Sequence, residues 1–290
     1  LRGLPALGNG NTECTMDNQS TTTSGKPLAV VTGASSGIGL ELAKQFAENG
    51  FDLIIAAEDT GLASAARELE AMGSTVEMVQ TDLATYEGVE QLAASLAARP
   101  NGIDAIAINA GVGVGGAFRD TDLQAELRLI DLNVRSTVQL AKHVVRDMSA
   151  RGRGRILFTA SIAAMMPDPF EAIYGASKAF VHSFAEALRN ELKDSGVTVT
   201  SLMPGPTDTN FFHRAGMDDT KVGTSKKDDP AQVARQGYEA LMAGKDHVVA
   251  GSLKTKAQAA VIGVMPETVK GEFHRGMAEP GTAKQTTDKR

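Results

Sequence analysis

The chain has little of what would tie it to several broad classes of function. Its one cysteine, Cys14, excludes an intramolecular disulfide and a cysteine metal cluster. That scarcity points to a reducing compartment, expected to be the cytoplasm. No apolar run reaches the roughly 18 residues a spanning helix needs, so no membrane partner is expected. The basic-then-apolar pattern of a secretory signal is missing from the N-terminus. Positive charge is not in excess: the formal net charge is −6, which gives no bulk attraction for nucleic acid. Arg146, Arg151, Arg153 and Arg155 cluster, but they read as a solvated helix end, where cations suit the dipole. The five histidines are dispersed, and no metal site is expected. No internal repeat or long linker divides the chain.

What remains is an ordinary globular balance, 42% hydrophobic and 22% charged over 290 residues. Residues 1–26 are polar and without periodicity, and are expected to be a disordered leader carrying Cys14. Within it, residues 1–15 precede Met16 and are expected to lie upstream of the native start. A domain over 27–250 follows. Residues 251–290 are expected to form a helical extension, with two weak patterns broken near Pro266 and a frayed tail after Pro280.

One stretch organises the domain. The apolar run Leu28–Thr32 stops at Gly33-Ala34-Ser35-Ser36-Gly37-Ile38-Gly39, and a helical pattern begins at once. Strand, glycine turn, helix places bare N–H groups and a helix N-terminus against phosphate. Further strands are predicted at Phe51–Ala57, Val76–Thr81, Ile103–Asn109, Arg155–Ala160, Val197–Met203 and His247–Ala250. Helices are predicted at Leu62–Met72, Tyr86–Ala98, Thr121–Met148, Ala172–Lys193 and Pro230–Met242. Thr207–Lys227 is polar and mixed and reads as a mobile lid. Alternating strands and helices predict an α/β doubly wound parallel sheet of about seven strands, covered on both faces. Gly33, Asp82, Asn109, Ser161 and Pro204 fall just past strand ends, so they gather on the edge where such sheets bind ligands.

The chemistry is concentrated in Tyr174-Gly175-Ala176-Ser177-Lys178. On a helix, positions i and i+4 share a face, so a phenol and an ammonium stand together. The ammonium favours phenolate and lowers a pKa that is otherwise near ~10. Ser161, ending the preceding strand, is placed to donate to the same substrate oxygen. Tyr-x-x-x-Lys alone is a weak signal, and an exposed amphipathic helix would explain it. Beside a phosphate turn and a strand-end serine, proton transfer explains it better.

These residues resemble the short-chain dehydrogenase/reductase family, in its single-domain branch, over about residues 27–210. Thr32 to Gly39 is similar to its cofactor turn, Asp82 to its adenine contact and Asn109-Ala110-Gly111 to its fourth-strand motif. Asn133, Ser161, Tyr174 and Lys178 match its catalytic tetrad in order. Pro204-Gly205 with Thr207 matches the segment that holds the nicotinamide amide, and Leu83 and Thr209 are counted as cofactor neighbours. The resemblance implies an NAD(P)-dependent oxidoreductase acting on a carbonyl or secondary alcohol. Tyr174 would carry the proton, Ser161 steady the oxyanion, Lys178 hold the nicotinamide ribose, and Asn133 anchor a relay water. It also implies a homodimer or homotetramer built on the helices at 121–148 and 172–193.

Between the two nicotinamides the residues favour NAD. No Arg or Lys stands at Ser35, Ser36, Ala57 or Glu58, and a carboxylate at Glu58 would repel the 2′-phosphate of NADP. The competing account is that Glu58 and Asp59 only favour the next helix start. Val112, Val114, Phe118, Ile162, Met165, Met166, Phe170, Phe211 and Phe212 are candidates for an apolar substrate pocket. His213 or Arg214 would meet an acidic substrate. A catalytically silent NAD(P)-sensing protein on the same fold is the alternative, and the intact Tyr/Lys pair speaks against it. An epimerase or dehydratase of the longer branch is disfavoured by the short chain past Pro204.

Overall fold

The computed structural model describes residues 25–283, so Cys14 and nearly all of the expected leader lie outside the described residues. Strands β1 (Leu28–Thr32), β2 (Asp52–Ala57), β3 (Val76–Gln80), β4 (Ala105–Ile108), β5 (Gly154–Thr159), β6 (Val197–Pro204) and β7 (His247–Ala250) form one sheet. Its order is β3-β2-β1-β4-β5-β6-β7, with every neighbouring pair parallel. The unbroken apolar runs follow from burial on both faces. Ala29 and Val31 belong to one core cluster and Val30 to the other, and Leu53 and Ile55 are split from Ile54 in the same way.

The first layer holds α1 (Gly37–Glu48), α2 (Leu62–Ala71) and α9 (Pro230–Met242). The second holds α3 (Tyr86–Ala97), α5 (Ser136–Arg151) and α6 (Ala172–Glu191). Helix starts match their caps: Thr85 accepts from Gly88 N–H, and Asp229 accepts from Ala231 N–H ahead of Pro230. Gly152 closes α5 in the left-handed region, at φ 68°. The chain crosses from β3 at one edge back to β4 beside β1, which opens a crevice at the carboxyl ends of β1 and β4.

Three sequence expectations are corrected. The helix expected over Thr121–Met148 is α4 (Leu123–Ile130), a π-helical turn (Asp131–Arg135) and then α5. The expected mobile lid contains α7 (Phe211–Arg214) and α8 (Lys221–Thr224). It is packed through Phe212, Ala215, Met217 and Val222 onto Ala278, apolar contacts that its polar composition hides. The tail is pinned rather than frayed as far as it is described, since Gly281 N–H donates to the Asp219 carboxylate and Ala283 N–H to the Asp219 carbonyl. The extension forms α10 (Leu253–Val264) and α11 (Glu267–Ala278). Among the described residues no helix is long and apolar enough to cross a membrane.

Phe46 anchors the first layer. It is fully buried and meets Phe51 and Tyr238 edge-on, each at 5.2 Å between ring centroids. Phe46→Ala should cost about 3–5 kcal/mol. Urea unfolding would read this as a lower midpoint at unchanged slope.

Candidate active site

The phosphate turn is shaped by glycine and by a knot of strand-end side chains. The Thr32 hydroxyl accepts from the N–H groups of Asn109 (2.9 Å) and Ala110 (3.0 Å). Asn109 Nδ2 donates to the Thr32 carbonyl (3.0 Å), and Thr159 Oγ1 donates to Asn109 Oδ1 (3.1 Å). Gly33 and Gly37 have positive φ, 69° and 57°. A Cβ on Gly39 would collide with the Gly33 carbonyl and with Asn109 Nδ2. The first turn of α1 has no acidic side chain, and Ser36 does not cap it. A cavity of about 260 Å³ lies against this turn, so its N–H groups fit an anionic pyrophosphate. Among the described residues no cluster of metal ligands is present.

Acidic side chains border the cavity beyond β2 and β3. Glu58 and Asp82 are both ion-paired to Arg128 of α4, at 2.7 and 2.9 Å. Partial burial opposes ionisation of Asp82, but hydrogen bonds from Arg128 and the Ala84 N–H prevail and hold its pKa below the usual range. Asp59 accepts from Ser35 Oγ (2.6 Å) and Gly61 N–H (2.9 Å), and among the described residues no cation pairs with it. Arg214 Nη2 lies 3.4 Å from Ser36 Oγ, which places it beside the phosphate turn.

Deeper in, Tyr174 and Lys178 project from one face of α6, with Lys178 Nζ 5.8 Å from the phenol ring centroid. Lys178 is buried and donates to the Thr159 carbonyl (2.8 Å), and burial pulls its pKa down to about 8. Ser161 starts a single 3₁₀ turn (Ile162–Met165), accepts from Ala163 N–H (3.1 Å) and faces Tyr174. The phenol pKa is raised, not lowered. Burial is the main cause and the Glu171 carboxylate adds to it, while the Ser161 hydroxyl pulls the other way. The lowering expected from Lys178 is not found: the phenol is shifted by burial, Glu171, Ser161 and Asp168. Asn133 sits in the π turn, buried, with its amide committed: Oδ1 accepts from Val112 N–H (3.0 Å), and Nδ2 donates to the Val112 carbonyl (2.9 Å) and Ser177 Oγ (3.1 Å).

The short chain dehydrogenase model matches residues 27–220. The chain belongs to the short-chain dehydrogenase family. An uncharacterized oxidoreductase of Staphylococcus saprophyticus is 33% identical over 216 residues, 74% of this chain and 90% of the relative. A short-chain dehydrogenase from Sphingobium yanoikuyae, in complex with NADPH, aligns at TM-score 0.73 and 28% identity, over 83% of this chain and 96% of its own. One from Burkholderia phymatum, in complex with NAD, aligns at TM-score 0.75 and 25% identity, over 88% and 97%.

In this dehydrogenase one cavity gathers most of the residues singled out in sequence. Gly33, Ser35 to Gly39, Glu58, Asp82, Leu83 and Asn109 to Gly111 line it around the β1–α1 turn, with Pro204, Gly205, Thr207 and Thr209. Ser161, Tyr174, Lys178, Val112, Ile162, Met166, Phe211 and Phe212 line the rest. Four substrate candidates fall outside the lining. Met165 packs into the second core layer, and Phe170 packs against the Phe212 cluster. Phe118 is exposed and Val114 does not reach the cavity. Sequence reasoning missed Glu171, Gln258, Phe273, His274 and Met277, which also line it. Glu171 lay one helical turn before Tyr174 and was findable by that spacing. The others come from α10 and α11, whose sequence carries no motif.

Asp168, Glu171 and His274 form a buried cluster at this end. His274 Nε2 lies 3.5 Å from Asp168 Oδ1 and 3.5 Å from Glu171 Oε2, and Nδ1 lies 3.1 Å from the Pro169 carbonyl. Burial pushes Asp168 up to about 7; His274 opposes this and Glu171 reinforces it. Burial works against the His274 cation, but Glu171, Asp168 and the Pro169 carbonyl outweigh it and raise its pKa. Both groups therefore take up protons on folding. For Asp168 the window runs from its ordinary value of 3.8 to about 7, and for His274 it lies above 6.5. Stability contributed here is present at low pH and lost as pH rises. Tm should fall as pH is raised from about 5 to above 7, and Asp168→Asn should flatten that slope. A slope unchanged in the variant would remove Asp168 as its source.

Proposed function

We propose that the enzyme transfers a hydride between a nicotinamide cofactor and a carbonyl or secondary alcohol, with Tyr174 as the proton donor and acceptor. The observation that carries this is the shared wall of Tyr174, Lys178 and Ser161 in a cavity continuous with the phosphate turn. The bound cofactor supplies the redox chemistry. In the reducing direction, Tyr174 gives its phenolic proton to the carbonyl oxygen while Ser161 donates a hydrogen bond to that oxygen as charge develops on it. Lys178 holds the nicotinamide ribose hydroxyls and offsets charge on the phenolate. Asn133 would anchor a relay water through a backbone group of the π turn, since its side-chain amide is committed to Val112 and Ser177. Gly33 to Gly39 bind the pyrophosphate, Asp82 and Leu83 the adenine, and Pro204 to Thr209 the nicotinamide amide.

NAD is our preferred cofactor. Asp59 supports this more strongly than Glu58, because Arg128 meets the Glu58 charge while Asp59 faces Ser35 without a cation. Arg214 adds positive charge beside the phosphate turn rather than toward an acidic substrate. Exposed Leu123, Leu127 and Ile130 on α4, with Phe180 on α6, support a homo-oligomer built on these helices. We take residues 27–250 as the dehydrogenase domain and α10–α11 as an extension that closes its pocket. The single cysteine is in keeping with a cytoplasmic setting.

Tyr174→Phe should lower kcat by about 100- to 10,000-fold while NADH titration still shows binding. Full turnover in that variant would dismiss the assignment. The kcat/KM for NADH should exceed that for NADPH, and Asp59→Ala should narrow the gap. A wild-type preference for NADPH would reverse the cofactor reading.

A further inference from the structure

The substrate half of the cavity is mostly apolar, with Phe211, Phe212, Val222, Phe273 and Met277 on its walls. One acid interrupts it. Glu171 lines the cavity although its side chain is only 6% exposed, and its Oε1 has no hydrogen-bond partner in the protein. A buried carboxylate oxygen without a partner is costly to leave unmatched. Glu171 occupies the N-cap position of α6, where an acid ordinarily bonds the first-turn N–H groups, yet its side chain makes no capping bond. It stands one turn before Tyr174, on the same side of the helix.

The surroundings hold this carboxylate in place. His274 approaches its other oxygen, Oε2, at 3.5 Å. Asp168 backs the pair with its side chain fully buried, and only a glycine at 175 leaves it room, since a Cβ there would collide with its carboxylate. Between the two acids, Phe170 has φ 67°, a conformation rare for a bulky side chain. The Phe170 carbonyl accepts from Gly116 N–H (2.8 Å), and the Arg275 guanidinium lies 5.3 Å from its ring centroid. The uncapped acid beside the proposed proton donor gives the pocket a polar point among apolar side chains.

We propose that Glu171 is a specificity-determining residue, and that the substrate is a largely apolar carbonyl or alcohol compound carrying a second hydroxyl that donates to Glu171 Oε1. This rests on the reading of Tyr174 as the proton donor, which fixes where the reacting carbon lies. A hydroxyl fits better than an ammonium. His274 stands between Asp168 and Glu171 and would repel a second cation brought to this end, while Glu171 Oε1 remains an acceptor without a partner.

The test uses the full chain with its nicotinamide and matched pairs of aryl alkyl ketones. In each pair a hydroxyl, at graded distance from the carbonyl, is replaced by methyl. Wild type should favour the hydroxyl member of the best pair by about 10- to 100-fold in kcat/KM, the scale of a hydrogen bond to a charged acceptor. Glu171→Leu should bring that ratio near one, and Glu171→Gln, which keeps an acceptor, should retain part of it. If the leucine variant does not fold, the reduced ratio in Glu171→Gln carries the result. A wild-type ratio near one across the panel, or a ratio unchanged in both variants, overturns the proposal. The Tyr174 reading is decided separately by Tyr174→Phe, and if no ketone is turned over, calorimetric titration of the same pairs against the NADH-bound protein decides on Glu171 alone. A hydroxyl preference in Kd that both variants weaken upholds the anchor. Equal or undetectable binding of both members overturns it.

Discussion

Everything in the site depends on how the carboxyl ends of β1, β4 and β5 are tied together. Parallel strands end with unpaired backbone groups, and here side chains of the last residues pair them. Asn109 bonds the Thr32 carbonyl with its amide nitrogen and receives the Thr159 hydroxyl on its amide oxygen. Thr32 receives the N–H groups of Asn109 and Ala110. Lys178 joins the same knot from α6 by donating to the Thr159 carbonyl. The phosphate turn, the glycine stretch after β4 and the helix bearing Tyr174 are thus referred to one rigid frame. A preorganised site needs that frame, because misplaced donors stabilise little.

Burial then sets the proton affinities. Removing water raises a phenol and lowers an ammonium, since both shifts favour the neutral form. Tyr174 moves up and Lys178 comes down to about 8, so the pair starts from a protonated phenol. Such a phenol is a suitable donor to a carbonyl oxygen. Glu171 strengthens the bias from the substrate side, because its charge also disfavours phenolate. The same low dielectric makes any positive charge brought near the phenol more effective than it would be in water.

The sheet was legible because its signals are local. Runs such as Leu53-Ile54-Ile55 are apolar on both faces because both faces are covered. Glycines at 33, 37 and 39 announce a turn whose geometry leaves no space for a Cβ or needs a positive φ. The π turn at Asn133 escaped because its residues keep a helical pattern, and the extra backbone residue leaves no mark on apolar spacing. The packing of α7 and α8 escaped because Phe212 and Val222 find their partner in Ala278, far along the chain. Most residues expected on the cofactor side were readable for the same reason as the strands: they follow strand ends and line one cavity. Arg128 was not, since it reaches Glu58 and Asp82 from another helix altogether.

That difference divides the cavity into two kinds of construction. The half against the β1–α1 turn is made of turns whose residue types are dictated by backbone geometry. The other half is closed by α11, packed over the 168–171 segment by His274 and Arg275. Here the chain brings several costs together: a bulky residue at positive φ, two buried carboxylates and three carboxylate oxygens with no hydrogen-bond partner in the protein. Strain and unsatisfied polarity of this kind persist only where surrounding structure enforces them. Their concentration in the wall beside Tyr174 supports the proposal that this wall, rather than the turn after β1, sets substrate preference.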